Sequence, residues 1–217
     1  MKKQHLFLAF VTGILVFTSC GGGQKTAQTG DAQAVDSTKV ALATTFVIDT
    51  AASSVGWEGG EGFAKLVKTH NGTFGVSEGT LSAKDSALVG GKFVLDLNKL
   101  VVLDLPKGKK NADLVGHLKG NDFFDVAKFP TATFELVSAE KTVSDSVKIT
   151  GNLTMKGVTK SVVFPAKVAI SDSQISANAQ FYINRKDWGM NYSSESSLGD
   201  EMIRDAVGIE LKIVAKK

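Results

Sequence analysis

DLVGHLKGNDFFDVAKFPTATFE, residues 113–135, is the stretch that decides the fold, because it is rich in phenylalanine but lacks the alternation of a strand. Its first part predicts a short helix that ends at Gly120 and buries one apolar face. That face consists of Leu114, Val115 and Leu118. After Gly120, Asn121 or Asp122 is suited to capping a second helical turn.

The second turn would carry Phe123, Phe124 and Val126, and Pro130 would stop it. A residue before proline favours extended geometry, so a strand is expected over residues 131–136. The stretch is therefore a helical connector with several phenylalanines between two strands. Such a connector is suited to plugging one end of a β structure, and its apolar surface indicates an apolar interior beneath it.

Alternation of apolar and polar residues dominates the chain from Phe46 to the C-terminus and predicts about eight strands. Short turns join most of them, which favours antiparallel neighbours, and closure would remove exposed edges. The best prediction is therefore an all-β, antiparallel eight-stranded barrel with a short helical connector. A β-sandwich stays open as the alternative, because alternation does not show whether a sheet closes.

Residues 1–19 have the features of an export leader. Lys2 and Lys3 precede an apolar run over residues 6–17, which is short for a membrane span. The following Phe-Thr-Ser-Cys, residues 17–20, resembles the lipobox of bacterial lipoproteins. This resemblance implies cleavage before Cys20 and its acylation with diacylglycerol and a fatty acid such as palmitate. The alternative is an ordinary signal peptide with an incidental cysteine.

Residues 20–44 are rich in Gly, Gln, Thr, Ala and Ser and contain no aromatic residue. This composition predicts a flexible tether with a reach of about 25 to 30 Å after Cys20, whose lipidation the lipobox resemblance implies, and residues 45–217 are expected to form the barrel domain. Loss of Lys2 and Lys3 with the leader takes two charges from the net charge of +3 and leaves +1, which gives no strong attraction to nucleic acid. The predicted location is the cell envelope. By resemblance to sorted lipoproteins, Gly21 in place of an aspartate after the cysteine implies the outer membrane, with a periplasmic or a surface-facing domain both left open.

Three separated motifs lie in residues 116–134, with GHLKG, DFFDV and FPTATF; in residues 150–160, TGNLTMKGVTK; and in residues 181–190, FYINRKDWGM. Together and in this order, they resemble the YceI-like family. The resemblance implies an exported protein with an extended, lipocalin-like barrel, some relatives of which bind polyisoprenoid or related lipids. One departure is the compact KTHNGTF at residues 68–74, where many relatives have a longer segment. The ligand's identity is therefore not carried over.

The inward positions of the strands give candidate residues for an apolar lumen, either as ligand contacts or as ordinary core packing. These candidates are Phe74, Phe93, Leu95, Leu97, Phe134, Leu153, Met155, Phe181 and Ile183. The residues expected at a lid or rim are His117, Phe123, Phe124, Arg185 and Trp188. For Arg185, pairing with a lipid phosphate competes with a structural role toward Asp187, Asp122 or Asp125.

Catalytic and metal-binding signals are weak. His70 and His117 do not have a characteristic metal-ligand spacing, and neither a cofactor nor a metal is predicted. We therefore expect a membrane-anchored lipid-binding protein with a long-chain lipid such as a polyisoprenoid as its partner, and not an enzyme. A packed scaffold lipoprotein with an exposed patch at Tyr182, Trp188 and Tyr192 is the first alternative. A lipid-acting enzyme using His70, His117, Arg185 and Asp187 is the second.

Overall fold

The computed structural model describes residues 26–63, 66–142, 146–194 and 202–217. In these ranges the chain forms ten strands, one α-helix and two short 3-10 helices. The elements are β1 Gln28–Asp31, a 3-10 helix Ser37–Lys39, β2 Thr44–Ile48, β3 Ser54–Phe63, β4 Leu66–Lys84, β5 Ala87–Val102, α1 Lys109–Lys119, β6 Thr131–Lys141, β7 Val147–Met155, β8 Val158–Ile170, β9 Gln174–Asn184, a 3-10 helix Arg185–Trp188 and β10 Ala206–Lys216.

The sheet closes into an antiparallel barrel with eight strand positions. Each strand from β4 to β9 pairs with its successor in the chain. The eighth position is shared by β2 and β3, which both pair with β10 on one side and β4 on the other. The prediction of an all-β, eight-stranded antiparallel barrel is thus confirmed, and the sandwich alternative is wrong.

Tight turns with positive φ set the register of two hairpins. Asp85 and Ser86 join β4 to β5 with φ values of 50° and 59°, and Lys156 and Gly157 join β7 to β8 with 48° and 73°. Two successive residues with positive φ match the right-handed twist of the flanking strands. These two turns therefore fix how β4 pairs with β5 and how β7 pairs with β8.

The connector between β5 and β6 forms a single helix. Helix α1 begins after Gly108, earlier than predicted, and Gly120 ends it as expected. The predicted second helical turn is wrong, because residues 121–127 form non-helical turns in which Asp125 has a φ of 47°. Asp122 instead approaches His117, with 3.3 Å between Oδ2 and Nε2. Strand β6 begins at Thr131, as the preceding proline predicts.

Part of the predicted tether lies against the barrel. Strand β1 pairs antiparallel with residues 160–163 of β8, and Thr26 forms a parallel bridge with Tyr182 of β9. Strands β8 and β9 pair with each other only through residues 167–170 and 175–178. The segment therefore fills the gap between β8 and β9 where they separate. The prediction of a free tether over residues 20–44 needs this correction, because backbone pairing does not require apolar side chains.

Asn152 ties this segment to the barrel wall. Its amide side chain accepts a hydrogen bond from the Gln33 backbone N–H and donates one to the Gln33 carbonyl. Gln33 Nε2 also donates to Ser161 Oγ, which is almost fully buried. The polar residues on this outer face are buried because the segment covers them.

We expect Asn152→Ala to lower the free energy of unfolding by about 1 to 3 kcal/mol, because it removes the two hydrogen bonds between the buried Asn152 side chain and the Gln33 backbone. Urea unfolding measures this change. Asn178→Ala, on an exposed position of β9, is the matched control and is expected to change stability by less than about 0.5 kcal/mol. Equal effects of the two substitutions would contradict the assigned role.

Candidate functional site

A cavity of about 580 Å³ lies at the end of the barrel that carries α1. Strands β3, β4, β9 and β10 supply its walls, and α1 and the segments on either side of residues 195–201 supply its upper rim. It reaches the surface beside Glu61, Lys68 and Tyr192, which are exposed. Its volume lies in the range of small-molecule sites, about 300 to 1,000 Å³.

The interior of the cavity is mainly apolar because the inward positions of its strands alternate with solvent-facing polar residues. Ile183 of β9, Ile209 of β10 and Phe74 of β4 line it. The other apolar residues that line it are Trp57, Leu114, Leu118, Phe123, Phe124, Met155, Met190, Met202, Ile203 and Val207. The arrangement can bury an apolar chain without leaving many polar groups unpaired.

Aromatic contacts hold the connector over the cavity. Phe124 packs edge-on against Phe74, with 5.4 Å between ring centroids. His117 lies edge-on to both Phe123 and Tyr192, at 5.0 and 4.9 Å. Edge-to-face pairs of this kind stabilise by about 0.5 to 1.5 kcal/mol each. The connector is thus packed as a cover at this end, as the sequence predicted.

Arg185 lies at the cavity rim, and its contacts there are with other parts of the protein chain. Its side chain is 2% exposed, and its guanidinium donates to the carbonyls of Met190, Ile203 and Arg204. Among the described residues, Asp205 is an acidic partner of Arg185, at 3.5 Å. The predicted partners Asp187, Asp122 and Asp125 are therefore wrong. The sequence pattern did not indicate that the chain after residue 201 returns to Arg185. The residue fixes the segments on both sides of residues 195–201 beside the cavity.

A second polar group lies where β3 and β4 reach the rim. His70 Nδ1 is 2.7 Å from Asp104 Oδ2, and His70 Nε2 is 3.4 Å from Glu61 Oε1. The Asn71 backbone N–H donates to the other Asp104 oxygen at 2.9 Å. Partial burial opposes ionisation of Asp104, but the hydrogen bonds from Asn71 and His70 outweigh it and hold the pKa of Asp104 below its usual value.

This arrangement predicts an acid-sensitive contribution to stability. Because the pKa of Asp104 is lower in the folded protein, its contribution is present above the unfolded value of about 3.9 and is lost as the pH falls through the folded pKa. We expect stability to fall less steeply below pH ~4 in Asp104→Asn than in the unsubstituted protein. Urea unfolding at a series of pH values measures both slopes, and identical slopes would contradict the prediction.

The nine predicted lumen residues divide between the cavity and the packed core. Phe74, Met155 and Ile183 line the cavity. The others do not: Phe93, Leu95, Leu97, Phe134, Leu153 and Phe181. Alternation identified the inward face correctly, but it carries no information about how far along the barrel the open space extends. These six residues pack in or against the barrel core, and Phe93 and Phe134 also border a second, smaller cavity.

Of the predicted rim residues, His117, Phe123, Phe124 and Arg185 line the cavity. Trp188 does not, and it is completely buried with its Nε1 donating to the Leu153 carbonyl. The prediction that Trp188 lies at the rim is therefore wrong, because the short 3-10 helix after β9 turns its indole ring into the barrel wall. Asp187 accepts a hydrogen bond from Thr29, away from His70 and His117. Of the four residues considered for an enzyme site, His70, His117 and Arg185 thus line the cavity, and Asp187 does not.

Sequence reasoning did not nominate several cavity residues. Trp57, Val207 and Ile209 lie in the alternating pattern of β3 and β10, and that alternation would have been the signal to include them. Met190, Met202 and Ile203 lie in irregular segments. Irregular segments have no regular spacing of apolar residues that would show which of them face inward. The sequence pattern therefore could not have identified these three residues.

Two further findings concern only the part of the chain that the structure describes. It holds no group of three or more His, Cys, Asp or Glu residues placed to bind a metal ion. It also contains no helix with the length and apolar character needed to cross a membrane. Residues 1–25, with Cys20 and the predicted leader, lie outside the described ranges.

The model of the YceI-like domain matches residues 46–215 of this chain. The chain belongs to the YceI-like family. The match covers every strand of the barrel except β1 and the first residues of β2. The family assignment from the three sequence motifs is therefore confirmed.

Curated relatives match parts of the chain. A UPF0312 protein of Azotobacter vinelandii is 33% identical over 133 residues, which cover 58% of this chain and 63% of the relative. Protein YceI of Salmonella arizonae is 37% identical over 97 residues, covering 45% and 48% respectively. The chain thus spans less than two thirds of the length of these relatives.

Solved structures share the barrel fold. BcnA of Burkholderia cenocepacia superposes with a TM-score of 0.61 at 22% identity, covering 78% of this chain and 99% of BcnA. A polyisoprenoid binding domain from Saccharophagus degradans, implicated in plant cell wall breakdown, gives a TM-score of 0.55 at 17% identity and covers 79% and 97%. At these identities the likeness shows a common YceI-like fold.

Proposed function

We propose that this YceI-like protein is a lipid-binding protein that holds an apolar chain, such as a polyisoprenoid, in the cavity at the α1 end of its barrel. The observation that carries the proposal is the 580 Å³ of space with a mainly apolar lining. Burial of an apolar chain there gains about 25 cal/mol per Å² removed from water. The polyisoprenoid binding of the Saccharophagus domain supports the choice of chain.

The cavity volume sets the expected size of the chain. A methylene group is similar in size to a water molecule, which occupies about 30 Å³. The space of about 580 Å³ therefore accommodates roughly 20 chain carbons. A polar head group would lie at the rim, where Lys68, His117 and Arg204 provide nitrogen atoms.

We propose that acylated Cys20 anchors the protein in the cell envelope, in the outer membrane. The lipobox resemblance at residues 17–20 supports this anchor. Docking of residues 26–33 on the barrel leaves six residue steps between Cys20 and Thr26, with a reach of about 20 Å. The proposal thus places the barrel close to the membrane from which a lipid would come. Growth with radioactive palmitate tests the anchor: label should enter the protein and be absent from Cys20→Ser.

The scaffold alternative required a filled barrel and an exposed aromatic patch. The cavity and the complete burial of Trp188 both count against it. The proposal assigns the chain no chemical reaction, because its cavity residues serve packing and binding. Carriage of lipid through the envelope is the function that this arrangement supports best.

Displacement of a fluorescent apolar probe tests the proposal. N-phenylnaphthylamine should brighten in the presence of the protein and be released by farnesol or palmitate, with glucose as the polar control. Release requires that the probe and the lipid compete for one apolar site. An absence of brightening, or equal release by glucose, would contradict the proposal.

A further inference from the structure

A layer of four phenylalanine rings crosses the barrel below the cavity. Phe93 stacks on Phe134 with 5.3 Å between centroids, and Phe134 lies 5.9 Å from Phe164. Phe164 stacks on Phe181 at 4.1 Å with an interplanar angle of 9°. The four rings come from β5, β6, β8 and β9, so the layer reaches across the lumen from one wall to another.

Open space continues on the far side of this layer. A second cavity of about 50 Å³ is lined by Phe93, Phe134 and Phe164 from above and by Ala179 and Leu211 at its sides. Along β9, Ile183 lines the large cavity and Ala179 the small one, and Phe181 lies between them. The two spaces are thus stacked along the same strands with the rings between them.

The sequence makes room for this layer. A Cβ atom at position 151 of β7 would clash with the ring of Phe134, so only glycine lets that ring lie across the lumen. Phe134, Phe164 and Phe181 are all buried, at 9% exposure or less. Their stacked geometry contributes beyond the area they bury, by about 0.5 to 1.5 kcal/mol per pair. The layer is therefore a well-packed floor.

We infer that this aromatic floor, and Phe181 in particular, limits the length of lipid chain that the barrel can bury. The inference rests on the proposed function and adds the chain length to it. A chain entering at the α1 end fills the large cavity with roughly 20 carbons, and the Phe164–Phe181 stack occupies the lumen beyond the residues that line this cavity. Longer chains leave their remaining carbons outside, where they gain no burial.

A series of all-trans prenols tests the floor: geraniol, farnesol, geranylgeraniol, geranylfarnesol and solanesol. Native mass spectrometry of the whole protein with equimolar mixtures measures their relative occupancy. Affinity should rise by at least about tenfold per isoprene unit up to geranylgeraniol and then change by less than about threefold. A continued steep rise through solanesol would overturn the floor and leave the lipid-binding function intact.

Phe181→Ala is the decisive variant. Loss of the phenyl ring frees space for about six chain carbons between Ile183, which lines the large cavity, and Ala179, which lines the small one, so the plateau should move by about one isoprene unit, to geranylfarnesol. Phe46→Ala removes a similarly buried ring that lies on β2, outside the stack of four rings, and should leave the plateau unchanged. If Phe181→Ala unfolds, Phe164→Leu tests the same stack with a smaller loss of packing.

Each outcome tests either the chain-length limit set by the aromatic floor or the proposed lipid-binding function. The same plateau in Phe181→Ala and Phe46→Ala would overturn the assignment of the floor. A shift in both variants would overturn it equally, because the effect would then follow general loosening of the core. Failure of the unsubstituted protein to hold any prenol would overturn the proposed function and, with it, the chain-length limit.

Discussion

Arg185→Met should lower the free energy of unfolding by about 3 to 5 kcal/mol, the largest loss we expect from a single substitution in this protein. The guanidinium is 2% exposed and donates to three backbone carbonyls as well as to Asp205. Methionine has a similar shape but no donor, so these buried acceptors would lose their partner. Urea unfolding with fluorescence detection measures the change.

Lys186→Met is the matched control for Arg185. The Lys186 ammonium also binds Asp205, at 2.9 Å, but its side chain is 32% exposed. Partly exposed ion pairs contribute about 0 to 1 kcal/mol, so the control should remain close to the unsubstituted protein. A loss of less than about 1 kcal/mol in Arg185→Met would show that the carbonyls find other donors and would contradict the assigned role.

Ile209→Trp should abolish lipid binding while leaving the barrel folded. Ile209 is half-buried and lines the cavity from β10, and the open space accommodates an indole ring. Because the ring would occupy the volume needed by the chain, affinity for farnesol should fall at least about tenfold, equivalent to ~1.4 kcal/mol. Displacement of N-phenylnaphthylamine measures the affinity.

Val47→Trp is the control for the added indole. Val47 is 63% exposed on β2 and does not line the cavity. The affinity of Val47→Trp for farnesol should therefore match that of the unsubstituted protein. Thermal unfolding of both variants checks that the barrel persists. Unchanged farnesol affinity in folded Ile209→Trp would show that lipid binds elsewhere.

The alternating strands made the barrel predictable. A period of two fixes which side of each strand faces inward, and Pro130 and Gly157 mark where strands begin and turn. The pairing of β1 with β8 was not predictable, because residues 28–31 are all exposed and carry no apolar pattern. Backbone hydrogen bonds hold such a strand, and they leave no trace in side-chain type.

The candidate site was predictable in part. Phe123 and Phe124 predicted a connector that covers one end of the barrel, because several aromatic rings in a connector need an apolar surface beneath them. The depth of the cavity was not predictable, because Phe181 and Ile183 have the same place in the alternation but only Ile183 borders the open space. That difference arises from ring stacking across four strands, which is a property of tertiary packing.

The most direct test of the central claim is the mass of the protein purified from its own envelope without added lipid, measured under native and denaturing conditions. Covalent acyl groups persist under both conditions, so the difference between the two masses belongs to bound ligand alone. We predict one long-chain lipid per protein in the native spectrum, lost on denaturation. Identical native and denatured masses, unchanged after incubation with geranylgeraniol and palmitate, would contradict the account of this barrel as a lipid-binding protein.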